Sequence, residues 1–104
     1  MWHGISDSSD TFFMNYADKT PGFIMAQAGY DVWLPNSRGN KYSLQHMWLN
    51  ASDYEFWDFS FEEISAYDTP AVVSYVLNAT GASKAAFVGH SQGTTQMFYA
   101  LAYN

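Results

Sequence analysis

The sequence predicts an α/β fold in which parallel strands are flanked by helices, as one domain over residues 1–104. Three observations point there. Strand-prone and helix-prone segments alternate, an order that implies a parallel sheet with right-handed crossovers. Ala85-Ala86-Phe87-Val88 is a short apolar run of the kind found in buried parallel strands. That run passes through Gly89-His90-Ser91-Gln92-Gly93 into a helix-prone segment.

Each element has its own signal. Residues 4–10 are small and polar and read as a loop. Asp10 can cap a helix holding Phe12, Phe13 and Tyr16, which Pro21-Gly22 interrupts. Residues 23–28 read as a short helix, with Gly29 at the left-handed position that ends it. Residues 30–34 are β-prone and stop at Pro35-Asn36. Residues 37–58 are polar and aromatic, an extended loop with room for one helical turn. Ser60-Phe61-Glu62-Glu63 matches the capping box, in which the serine hydroxyl and the glutamate each satisfy an orphan N–H. Ile64, Ala71, Val72, Tyr75 and Val76 then recur at helical spacing as far as Gly81. Pro70 predicts a kink or a restart, with Thr69 as a second cap. Residues 92–103 predict a last helix with Met97, Leu101 and Phe98 facing inward.

Composition narrows the function. Apolar residues are 48% and charged residues 13%, so the chain collapses into a globule. Aromatics are 19%, more apolar area than so short a chain can cover. The excess reads as surface that packs against something outside this sequence. The net charge is −6 with four basic residues, which excludes a nucleic-acid partner because phosphate binding needs a basic footprint. There is no cysteine and hence no disulfide or thiolate chemistry. Met1-Trp2-His3-Gly4 does not read as a signal peptide, and no run approaches a transmembrane span. His3, His46 and His90 are scattered without ligand spacing, so no metal site is expected. Asn50-Ala51-Ser52 and Asn78-Ala79-Thr80 are acceptor sequons, so Asn50 and Asn78 are candidate glycosylation positions in a secretory route.

Gly89-His90-Ser91-Gln92-Gly93 carries the chemistry. G-x-S-x-G is the nucleophile elbow of α/β-hydrolases. The serine sits on a strained strand-to-helix turn that pushes its hydroxyl outward. Gly89 and Gly93 must be tiny, because the following helix passes close to the strand. The Gln92 N–H, at the helix start, can face a developing oxyanion. Chance produces the bare pattern in roughly 3% of chains this long, so the strand before it and the helix after it carry the argument. The bland alternative is a glycine-rich turn with a capping serine. His3-Gly4 can form the other half of an oxyanion hole through the N–H of Ile5. Arg38 reads as a hub that pins loop carbonyls, with a substrate role as the alternative. Tyr54, Phe56, Trp57, Phe59 and Phe61 read as core in preference to an acyl pocket.

Several segments together resemble one family. They are His3-Gly4-Ile5 with Ser8-Ser9-Asp10, residues 28–34 with Asn36-Ser37-Arg38-Gly39-Asn40, residues 56–63, Tyr67-Asp68-Thr69-Pro70-Ala71, and residues 88–95. In this order they are similar to the acid lipases, the lysosomal acid lipase, gastric lipase and sterol ester hydrolase group. The resemblance runs essentially end to end. It implies an α/β-hydrolase fold and hydrolysis of triacylglycerols or steryl esters at a lipid–water interface. It also implies a secreted or lysosome-like compartment and no cofactor. Ser91 is then the nucleophile, and the N–H groups of Gln92 and Ile5 form the oxyanion hole.

In such enzymes the triad order is serine, acid, histidine. Residues 92–104 contain no Asp, Glu or His. The sequence therefore reads as a partial hydrolase domain, ending in the helix after the elbow and lacking a lid. A non-catalytic interaction module, or a fragment without function, is the alternative. Uncovered strand edges and apolar faces predict poor solubility of the isolated chain. Without a general base, the isolated 104 residues are expected to hydrolyse esters about 10⁴- to 10⁶-fold more slowly than an intact serine hydrolase. A sensitive ester assay on the purified chain checks this, and robust turnover abolished by Ser91→Ala overturns it.

Overall fold

The computed structural model describes residues 1–103. Its helices are α1 (Pro21–Gln27), α2 (Phe61–Glu63), α3 (Thr69–Thr80) and α4 (Gln92–Tyr103). One-turn 3₁₀ helices span Ser9–Phe12 and Tyr54–Trp57, and a π-helical turn, Ile64–Asp68, joins α2 to α3.

The expected parallel strands are not formed among the described residues. What exists is one parallel bridge between Trp2 and Gly89. The Trp2 N–H donates to the Val88 carbonyl at 2.8 Å, and the His90 N–H donates to the Trp2 carbonyl at 2.9 Å. The Met1 ammonium donates to the Trp33 carbonyl at 2.8 Å. Residues 1–3 are thus bonded both to residue 33 and to residues 88–90. A ladder needs partner backbone along its length, and here a single residue supplies it. Residues 30–34 and 85–88 therefore run without strand pairing.

The first helix also departs from expectation. Ser8, not Asp10, is the cap, accepting from the Asp10 N–H. The Asp10 carboxylate is taken by the Lys41 ammonium and the Tyr42 hydroxyl. The helix stops after one turn, Phe12 is buried, and Tyr16 is exposed. Helix α1 begins at Pro21, two residues before expectation, because proline is preorganised for the first helical position. Gly29 closes it with φ 93°.

The capping box at the start of α2 is present. The Ser60 hydroxyl accepts from the Glu62 N–H at 3.0 Å, and the Glu63 carboxylate accepts from the Ser60 N–H at 2.6 Å. Pro70 does not restart the helix. Asp68 and Thr69 both keep right-handed helical dihedrals. The helix widens to a π turn just before the proline: the Thr69 N–H reaches back five residues to the Ile64 carbonyl, and the Thr69 hydroxyl donates to the same oxygen at 3.1 Å. Thr69 is therefore not a cap. Gly81 ends α3 in the left-handed region at φ 69°.

Helix α4 packs on this π turn with an unexpected face. Gly93, Gln96 and Ala100 are buried, whereas Phe98 and Leu101 are 69% and 71% exposed. Gly93 faces the backbone of residues 2–3, and the buried Gln96 amide donates to the Thr69 hydroxyl oxygen at 3.3 Å. The inward face follows the shape and bonding of the π turn, not apolar content. Met47, Trp48 and Tyr54 are exposed as well, consistent with the excess of aromatic area in the composition.

Acid is expected to weaken the contacts of two carboxylates. The backbone N–H of Ser60 holds Glu63 below the usual carboxylate range, and the Lys41 hydrogen bond does the same for Asp10. Depressed folded values mean stabilisation that is complete above the unfolded values near about pH 4 and is lost as pH falls through the lower folded ones. The urea midpoint is expected to drop between about pH 4 and pH 2, with a shallower drop in Glu63→Gln. An identical acid limb in that variant contradicts the assignment.

Candidate active site

Ser91 is the one non-glycine residue with positive φ among the described residues, at 51°. A left-handed serine costs of order 1–3 kcal/mol and persists only where its surroundings over-determine it. Here they do. Gly89, just before it, is held by the bridge to Trp2. The Gly93 N–H donates to the His90 carbonyl at 2.9 Å, and the Thr94 N–H to the Ser91 carbonyl at 2.9 Å, so α4 starts immediately. The Thr94 hydroxyl reaches back to the Gly89 carbonyl at 2.8 Å.

The flanking glycines are steric necessities. A Cβ on Gly89 would lie 2.6 Å from the Thr94 nitrogen. One on Gly93 would lie 2.5 Å from the Trp2 carbonyl oxygen and 2.8 Å from that of His3. The first turn of α4 therefore rests on the backbone of residues 2–3. This contact carries the next residues to the serine: a Cβ on Gly4 would be 3.2 Å from Ser91 Cβ and 3.6 Å from its Oγ. His3-Gly4-Ile5 and Ser91, far apart in sequence, are thus neighbours. Ile5 and Gln92 line one cavity of about 260 Å³. The Ser91 side is exposed, and its hydroxyl has no hydrogen-bond partner among the described residues.

His3 is 2% exposed and fully engaged. The Ser37 N–H donates to its Nε2 at 3.1 Å, and the Asn40 amide approaches the same nitrogen at 3.2 Å. Nδ1 then carries the proton and donates to the Gly4 carbonyl at 2.7 Å. Trp2 Nε1 donates to the Ser37 hydroxyl at 2.7 Å, and the Asn36 side-chain oxygen Oδ1 accepts from the Asn40 amide and the Ser9 N–H. These bonds tie the 36–40 loop to the His-Gly-Ile segment. The Asn residues flanking Arg38 were the visible trace of this network in the sequence.

Arg38 does not pin loop carbonyls as expected. It forms a bidentate pair with Asp68, with Nε 3.0 Å from both carboxylate oxygens and Nη2 2.5 Å from one. Asp68 raises its pKa by accepting these bonds. The guanidinium also lies over the rings of Phe59 and Tyr67, at 5.7 and 6.0 Å. His46 organises its own loop, accepting from the Trp48 and Leu49 N–H groups through Nδ1. The aromatic cluster splits. Phe56 is buried, Tyr54 is exposed, and Trp57, Phe59 and Phe61 line the cavity beside Ile5 and Gln92. Asn50 and Asn78 are both exposed, Asn50 in a turn where it accepts from the Ser52 N–H and hydroxyl.

The family model described as alpha/beta hydrolase fold matches residues 1–104. The chain belongs to the α/β-hydrolase fold family. It is 48% identical over 95% of its length to human lysosomal acid lipase/cholesteryl ester hydrolase. Identity is 46% over 97% of the chain to human lipase member N, and 44% over 95% to bovine gastric triacylglycerol lipase. These identities bear out the resemblance to acid lipases. The chain spans about a quarter of the length of the curated relatives it matches, 25% in each of these three.

The glycine contacts of this α/β-hydrolase chain have a measurable consequence. Gly93→Ala gains helix propensity of up to about 1 kcal/mol, but its Cβ meets backbone oxygens that cannot rotate away. Overpacking of this kind costs typically 1–3 kcal/mol, so a net loss is expected in urea unfolding. A variant as stable as the parent contradicts the packing of α4 on residues 2–3.

Proposed function

We propose that this chain carries the nucleophile and oxyanion hole of a serine carboxylic-ester hydrolase acting on neutral lipid esters, triacylglycerols or steryl esters. Ser91 Oγ attacks the ester carbonyl carbon. The N–H groups of Gln92 and Ile5 hold the oxygen that becomes negative. The carbon–oxygen bond to the alcohol then breaks, the alcohol leaves with a proton, and an acyl-serine remains. Water cleaves it to release the acid. The single observation that carries this reading is the strained Ser91 bend with the Gly4 backbone packed against its side chain.

The mechanism also needs a general base and a carboxylate to orient it. His3 has both ring nitrogens engaged, and residues 92–104 hold no Asp, Glu or His. The relatives' names, with the exposed sequons at Asn50 and Asn78, support a secreted or lysosome-like location with glycosylation at these asparagines.

The test uses the full-length product that contains residues 1–104. Emulsified triacylglycerol and steryl ester are expected to be hydrolysed, and Ser91→Ala is expected to lower the rate by about 10⁴-fold or more. Turnover that survives Ser91→Ala contradicts the mechanism. A full-length protein with no turnover favours the non-catalytic module.

A further inference from the structure

The cavity that Ile5 and Gln92 share has a wall of Trp57, Phe59, Phe61 and Ile64. The geometry points to this cavity as the subsite for the acyl chain, with Phe61 setting how much chain it accepts. The inference rests on the proposed ester hydrolysis at Ser91.

Three observations carry it. The first is position. An ester whose carbonyl oxygen lies at Ile5 and Gln92 has its acyl carbon beside the cavity those residues line. A second cavity, about 350 Å³, also touches Ile5, but Gln92 does not line it and its remaining walls include Ser6, Asp7, Ser8 and Lys41. The second observation is the state of the polar lining. Arg38 is held by Asp68, the Asn40 amide by Asn36 and His3, Ser37 receives the Trp2 indole N–H, and Ser60 is bound into its capping box. These groups already have partners inside the protein, so the walls favour an apolar occupant over the hydroxyls of a glycerol.

The third observation is rigidity and size. Trp57 is fixed by its Nε1 donating to the Ala51 carbonyl at 2.8 Å and stacks on Phe59 with ring centroids 6.2 Å apart. Both rings press on Gly39, where a Cβ would lie 2.8 Å from Phe59 and 2.9 Å from Trp57. Phe61, 38% exposed, has no such polar clamp and meets Tyr99 edge-on at 5.7 Å, so it is the wall that can change without disturbing the core. A volume of about 260 Å³ lies below the range of about 300–1,000 Å³ that encloses a whole small molecule. It suits a segment of flexible chain and not a fused ring system.

The test is a series of p-nitrophenyl esters, acetate to octanoate, on the full-length protein. Phe61→Ala is expected to raise kcat/KM for octanoate relative to acetate by about fivefold, and Phe61→Trp to lower it; a single methylene in an apolar pocket is worth about 10- to 200-fold, so a wall change of this size is readable. Ser91-dependent turnover with an unchanged chain-length ratio in both variants overturns the subsite and leaves the proposed hydrolase standing. Absence of any Ser91-dependent turnover overturns both. A matching loss on all esters places Phe61 in the scaffold alone and also overturns the subsite.

Discussion

Everything at the candidate site depends on one steric constraint, the close approach of the first turn of α4 to the backbone of residues 2–3. Gly93 makes that approach possible, because any side chain there would overlap two carbonyl oxygens. Gly89 makes the companion approach of Thr94 possible in the same way. Between these two contacts the chain has little choice at position 91, and serine takes a left-handed conformation that it would otherwise avoid. The strain of order 1–3 kcal/mol is offset by the bridge bonds to Trp2 and the turn bonds into α4.

The same approach makes a composite site from remote segments. Residues 2–3 serve as the floor for α4, so Gly4 and Ile5 must emerge beside the serine. His3 then fixes the direction of that exit through its bonds to Gly4, Ser37 and Asn40. Arg38, in the same loop, pairs with Asp68 on the π turn, against which α4 also packs. Being partly exposed, that pair contributes little to stability, of the order of 1 kcal/mol or less. Its effect is geometric: it ties the loop carrying Gly39 and Asn40 to the helix that supports the elbow.

The local signals were legible in sequence. The capping box at Ser60, the left-handed Gly29 and the helix end at Gly81 each follow from a rule about a few neighbouring residues, and each is present; Gly89 and Gly93 do have backbone pressed against them. The one helical turn in the 37–58 loop is present as well. What failed was set by tertiary partners. Asp10 could not cap, because Lys41 and Tyr42 claim its carboxylate from more than thirty residues away. Phe98 and Leu101 face outward because a π turn, invisible in an apolar pattern, receives Gln96. Arg38 found Asp68 and not loop carbonyls for the same reason. The strands at 30–34 and 85–88 had the right composition, but a strand forms only where another backbone runs alongside, and one bridge is what residues 1–3 provide.

A crystal structure of the full-length protein after reaction with a long-chain alkyl phosphonate ester probes the elbow most directly, because phosphorus mimics the tetrahedral carbon. The adduct is expected on Ser91 Oγ, with one phosphoryl oxygen accepting from the N–H groups of Ile5 and Gln92. An unmodified Ser91, or an adduct whose oxygens point into solvent away from both amides, would contradict a site built on this bend.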